Sequence, residues 1–260
     1  SVRRAFATSR YPIADIIVSV DEDAASRAAT TEALAALDPS PVVIGHGGGD
    51  IYWARAFAEL LQVALATDAE FIVHLNSDVV LTASPDPLIA AIDDDPTVGA
   101  VAATLDGDVR LTGYRRVRPW FPFFRSVPAG SAAWYLPASC VAIRCAALRS
   151  PGISLESLAA YRHGWADIEL SCQLRESGYR LLTTTAPVGA VGHQRYFRRV
   201  HHFGRFGGSL LRYLRECPTA PCLADTRRFG RRVFGPLWPI AYRVYVPVAI
   251  QYVRFRWRRV

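Results

Sequence analysis

Three short segments of this chain carry the residue types that acid–base and metal chemistry require. Asn76 and Asp78 follow the apolar run Phe71 to Leu75 and precede Val79 and Val80, so their side chains fall in a tight turn at a strand end. A carboxylate there can hold Mg2+ or Mn2+, cations that take oxygen ligands and keep positions open for phosphate oxygens, so one or two protein ligands suffice. An ordinary Asx turn would use the same two residues. Asp167 and Glu169 open a helix, where the dipole stabilises carboxylates and a rigid element can hold a general base beside a pocket. Charging of the helix start, with Ile168 and Leu170 as core anchors, explains Glu169 as well as chemistry does, and Asp167 less well. His193 follows the small apolar run Val188 to Gly192, and an imidazole at a strand exit can ligate a cation, donate to a diphosphate oxygen or join a packed hydrogen-bond network.

Positioning these groups requires strands that end together. Asp15 to Val20 reads as a strand, Ala24 to Leu37 as a helix, Pro41 to Gly45 as a second strand, Ile51 to Ala66 as a second helix and Glu70 to Leu75 as a third strand. Such alternation predicts a Rossmann-like, mostly parallel sheet flanked by helices, in which ligands bind beyond the carboxyl ends of the strands. Ser19, Asp21, His46 and Asp50 occupy those ends. Further strands are expected at Val98 to Ala103, Val109 to Thr112, Ser139 to Arg144 and Arg180 to Thr185. A helix is expected from Ala166 to Ser177, closed by Gly178, and an aromatic, arginine-bearing loop from Tyr114 to Pro128.

Composition bounds the class. With 260 residues, 51% of them hydrophobic, the chain can bury a full core and is neither disordered nor fibrous. The charge is segregated: residues 193 to 260 hold 15 of the 30 basic residues, all arginine, against Glu216 and Asp225. This divides the chain into a domain over residues 1 to 192 and a basic, aromatic helical extension over 193 to 260. Five scattered cysteines suit reduced thiols and a cytoplasmic setting, and Val244 to Ile250 is far too short to span a bilayer.

The strings "FIVHLNSDVVL" (71–81), "WADIELSCQLRESGYRLL" (165–182) and "VGHQR" (191–195), in this order and spacing, resemble family-2 glycosyltransferases of the GT-A fold over roughly residues 13 to 200. The resemblance implies an inverting transfer of sugar from a nucleotide-diphosphate donor to an acceptor hydroxyl on a glycan, a lipid-linked carrier or a small molecule. It implies that Asp78, with Asn76 in the first position of the metal motif, binds Mg2+ or Mn2+ and the donor diphosphate. His193 completes that site, and Asp167 is the catalytic base. It places Ser19, Asp21, His46 and Asp50 at the nucleotide, and Ser139, Trp165 and Glu169 on the acceptor side. Ala166 stands where the family usually has a first acid, Gly45 and His46 replace its usual Asp-Asn, and its Asn-x-Gly is absent from the second helix. These departures motivate the alternative of a degenerate GT-A domain acting as a non-catalytic binding or scaffold module.

Other classes fit less well. His46 to Gly49 resembles an oxyanion-hole element, but the chain has no Gly-x-Ser-x-Gly elbow for a serine hydrolase. Nucleotidyl transfer would call for a Gly- and Lys-rich first loop, and the chain has no lysine. The basic tail has no recognisable nucleic-acid-binding module. Its arginines interleave with aromatics in a manner that suits peripheral contact with an anionic membrane, or a helical buttress with a basic outer face. The residues do not define an oligomeric state.

Overall fold

Every residue from Val98 to Leu105 is buried, because this stretch forms the middle of the central sheet. The computed structural model describes residues 5–20, 24–35, 39, 42–46, 53–106, 112–118, 121–162, 165–191, 223–240 and 243. In chain order these hold β1 (Ile17–Val20), α1 (Ala24–Leu34), β2 (Val42–Gly45), α2 (Trp53–Leu65), β3 (Phe71–Leu75), β4 (Val79–Leu81), α3 (Asp86–Asp93) and β5 (Val98–Asp106). There follow β6 (Tyr114–Arg118), β7 (Phe121–Ser126), β8 (Cys140–Arg144), the short helices α4 (Cys145–Leu148) and α5 (Leu155–Ala159), α6 (Ala166–Glu176), β9 (Arg180–Val191) and α7 (Leu223–Phe234).

The central sheet has the order β3-β8-β5-β9-β4. Its alternating side chains make two cores. Ala100, Ala102, Val141 and Ile143 face Phe57 and Leu61 of α2, Leu158 of α5 and Ile168 of α6. Val101, Ala103, Cys140 and Ala142 face Leu88 and Ile92 of α3. The chain is thus an α/β protein with helices against both faces of a mixed sheet.

The expectation of a mostly parallel sheet is corrected. Of the four pairings in the central sheet only β5 with β9 is parallel, and β8 runs antiparallel to both its neighbours, β3 and β5. Strands β1 and β2 do pair in parallel, but as a separate two-stranded sheet. Strand-helix alternation holds as far as β3. It then fails because β4 follows β3 with no helix between and the chain later passes through the β6–β7 hairpin before returning as β8, and only long-range burial on both faces of β8 decides that this strand lies between β3 and β5.

The segment from Tyr114 to Pro128, read as a loop, is mostly this β6–β7 hairpin, with Tyr114 opposite Ser126 and Arg116 opposite Phe124. Its aromatic residues favour an extended chain packed on a neighbour. Tyr114 stacks on Tyr135, with ring centroids 4.7 Å apart, and Phe124 meets Tyr135 edge-on. The strand expected at Val109 to Thr112 falls largely outside the described residues, and Thr112 itself is not in a strand. The helix from Ala166 closes as expected, with Gly178 at φ +90°.

At the edge of the sheet β4 lies against β9, with Leu81 opposite Gly189. A Cβ on Gly189 would come within 2.6 Å of the Val80 carbonyl oxygen. Backbone cannot yield as a flexible side chain does, so Gly189→Ala is expected to pry β4 away and destabilise the fold by about 2 kcal/mol, read in a denaturant melt.

Candidate active site

The turn after β3 and the entry to β8 are built together. Asn76 N–H donates to the Ser139 carbonyl at 2.9 Å, and Val79 N–H closes the turn on the Asn76 carbonyl at 3.0 Å. The Asn76 side-chain oxygen accepts from the Trp53 indole N–H at 2.9 Å, so the first residue of α2 fixes its orientation. One residue before Ser139, the Ala138 carbonyl accepts from His74 Nδ1 at 2.7 Å. His74 is buried and its pKa is lowered to about 4 by loss of solvation, so the ring is neutral and serves the fold.

Asp167 reaches the same segment. Its carboxylate accepts from Ile168 N–H at 2.9 Å and from the backbone amides of Asp167 and Ala138. These amides hold the charged form, yet burial outweighs them and raises its pKa to about 6. Beneath it lies a cavity of about 10 Å³ with an almost wholly apolar lining that includes Phe57, Leu136, Ile143 and Leu170. This is at the lower limit for a single water, so little solvation reaches the carboxylate from below. The Asp167 charge also adds to burial in raising the pKa values of Tyr114 and Tyr135, which places this stacked pair close by.

Asn76, Ser139 and Asp167 are therefore gathered around residues 138–140. Ala166, at the position of the family's first acid, has no solvent exposure and packs in the core, so an acid there would be buried among apolar groups. Trp165 precedes it with φ +75°, the one non-glycine residue with positive φ among those described. Its ring stacks on Phe229 of α7 with centroids 4.3 Å apart, and among the described residues its buried indole N–H has no acceptor. Backbone held in this region is strained by roughly 1–3 kcal/mol and persists where surrounding packing dictates it.

Glu169 points elsewhere. It is 7% exposed and accepts from Tyr161 O–H at 3.2 Å, Gln173 Nε2 at 3.0 Å and Arg232 Nε at 3.1 Å. The same arginine bridges to Glu176, so this carboxylate is engaged in docking α7 and not turned toward the residues around Asp167.

On the expected nucleotide side, Ser19 pairs with Ile44, and His46 N–H donates to the Val20 carbonyl at 3.0 Å, extending the β1–β2 pairing. His46 Nε2 lies 3.6 Å from Glu59 of α2. One helix thus touches both sub-sites, through Glu59 at His46 and Trp53 at Asn76. Asp78 is partly buried in the turn. Asp21, Asp50 and His193 lie outside the described residues, and among those described no three His, Cys, Asp or Glu side chains converge as a metal cluster.

Sequence reasoning missed Trp53, His74 and the tyrosine pair. Trp53 had a local signal, as an aromatic at the start of the helix that follows His46 to Asp50. The others reveal themselves only through contacts distant in sequence. No protein-family model and no curated protein matches the chain.

Proposed function

We propose that this protein is an inverting glycosyltransferase of GT-A type that uses a nucleotide-diphosphate sugar and Mg2+ or Mn2+. The observation that carries the reading is Asp167, a carboxylate on a rigid helix start with a pKa near 6, held beside the turn that bears Asn76 and Asp78. A general base works best when its pKa approaches the operating pH while it remains ionised, a combination that burial against fixed backbone donors supplies.

In the proposed reaction Asp167 removes the proton from an acceptor hydroxyl as that oxygen attacks the anomeric carbon. The nucleotide diphosphate leaves from the opposite face, and configuration inverts. On this reading the strand ends Ser19 and His46 would flank the nucleotide, and Asn76, whose side-chain oxygen is held by the Trp53 indole N–H, would stand on the diphosphate side. Asp78 fits a hard cation, which needs only one or two protein oxygens when phosphate and water complete its shell, and His193 is the second ligand the resemblance implies. When bound, the cation supplies charge neutralisation of the departing diphosphate. Trp165 and Ser139 border the base on the acceptor side, whereas the Arg232 pairing gives Glu169 a structural role in place of the acceptor contact expected of it.

Calorimetric titration of nucleotide diphosphates and their sugars, with and without Mn2+, tests this reading. Metal-dependent binding of one nucleotide, weakened at least about tenfold in Asp78→Ala, is expected. A folded protein that binds none of a broad panel would favour the non-catalytic module.

A further inference from the structure

The end of the described chain is shaped in a way the proposed reaction does not use. On α7 the single acid, Asp225, is buried and accepts from Arg162 N–H at 2.9 Å, which leaves the outer face of this helix to arginine. Arg228 is occupied, donating to the Ala160 carbonyl, and Arg232 holds Glu169 and Glu176. Arg227 and Arg231, one turn apart, are exposed and among the described residues have no acidic partner.

The chain then turns at Gly235, with φ +54°, into a 3-10 segment from Gly235 to Leu237. Trp238 folds back against Gly230, where a Cβ would meet the indole at 2.1 Å, and stacks near Phe234 with centroids 6.0 Å apart. With Trp238 anchored inward, Leu237 and Ile240 are turned out, 58% and 67% exposed. Pro236, Pro239 and Arg243 beside them are exposed as well.

From this arrangement we infer that residues 223–240, together with Arg243, form a docking surface for an anionic lipid bilayer. Arg227, Arg231 and Arg243 meet the head groups, and Leu237 and Ile240 enter the head-group and acyl boundary. Two large aliphatic side chains held out in water beside arginines that have no acidic partner among the described residues are costly in solution and complementary to an interface that is negative outside and apolar beneath. A nucleic-acid backbone would satisfy the arginines and leave Leu237 and Ile240 in water. A second copy on a two-fold axis would bring the arginines of one copy against those of the other. Because Phe229 of α7 stacks on Trp165, the surface lies one side chain from the candidate acceptor side. A lipid-linked acceptor follows from this only together with the glycosyl-transfer reading, whereas the docking surface stands without it.

Co-sedimentation with phosphatidylcholine vesicles, with and without phosphatidylglycerol, tests the surface in the absence of any donor sugar, so its result is independent of catalysis. Binding is expected with the anionic vesicles only and should weaken as salt is raised. Each guanidinium at such a surface is worth roughly fivefold in affinity, so Arg227→Gln/Arg231→Gln should lose about 25-fold. Leu237→Ser/Ile240→Ser should lose at least about tenfold, and Val42→Ser, an exposed aliphatic on β2, should bind as wild type. Circular dichroism establishes that each variant is folded. Absence of binding at low salt, equal binding to neutral vesicles, or an unchanged Leu237→Ser/Ile240→Ser variant would overturn the inference.

Discussion

Asp167→Asn is expected to lower turnover by about a thousandfold while donor binding is retained, and at the same time to make the protein more stable at neutral pH. The first effect is the loss of the proposed general base, a role worth roughly 10²–10⁴ in rate. The second follows from linkage. The carboxyl has a pKa of about 6 in the folded chain against an ordinary value of 3.8. Between these values the folded state holds a proton that the unfolded state has released, so stability falls as pH rises from about 4 to 6 and is level above that. The accumulated penalty is about 3 kcal/mol at pH 8, and Asn avoids most of it while still accepting from Ile168 N–H. The variant should therefore melt roughly 5–10 °C above wild type at pH 8, with the difference closing below pH 4. In the wild type, activity should rise with pH through an apparent pKa near 6. A variant with near-normal turnover would remove Asp167 from the base role, and a melting difference that is the same at pH 4 and pH 8 would show that its charge is not penalised in the fold.

Arg232→Ala is expected to destabilise the protein by about 3 kcal/mol and to release α7. Removing the guanidinium leaves Glu169, 7% exposed, with only the Tyr161 hydroxyl and the Gln173 amide as side-chain donors among the described residues. Breaking one side of a buried ion pair costs about 3–5 kcal/mol, and we take the lower figure because Arg232 is itself about a third exposed, at 32%. Limited proteolysis should cut residues 223–240 much faster in the variant. Pairing the change with Glu169→Gln should recover most of the loss, because no uncompensated charge then remains. An Arg232→Ala protein that melts and resists protease like wild type would show that the remaining contacts, Phe229 on Trp165 and Phe124, Asp225 with Arg162 and Arg228 with Ala160, suffice to hold α7. Release of α7 would also expose Trp165, so, on the proposed glycosyl-transfer reading, a fall in acceptor affinity without change in donor affinity is the functional counterpart.

Much of the frame was legible in the residues. The first three strands and the helices between them lie within a few residues of their expected bounds, because strand-forming runs and alanine-rich helices are local signals. The helix bearing Asp167 and its closure at Gly178 were legible for the same reason. Sheet order was not. Nothing near Ser139 to Arg144 says that this strand divides β3 from β5 and runs opposite to both. The hairpin at Tyr114 was hidden because arginine and proline obscure its alternation, and its aromatic partners Trp134 and Tyr135 come later in the chain.

For the candidate site the division is similar. The sequence by itself marked Asn76, Asp78 and Asp167 as candidates for chemistry, since their residue types at a strand end and a helix start are constrained by local geometry. Only the tertiary structure decided that Asp167 is held by the amide of Ala138 above an apolar floor, which raises its pKa, and that Glu169, two residues on, is spent on Arg232. Neighbours on one helix turn face different directions, and what each meets is set by elements tens of residues away. Solvation and pairing, which govern a carboxylate's chemistry, therefore exist only once those elements have packed.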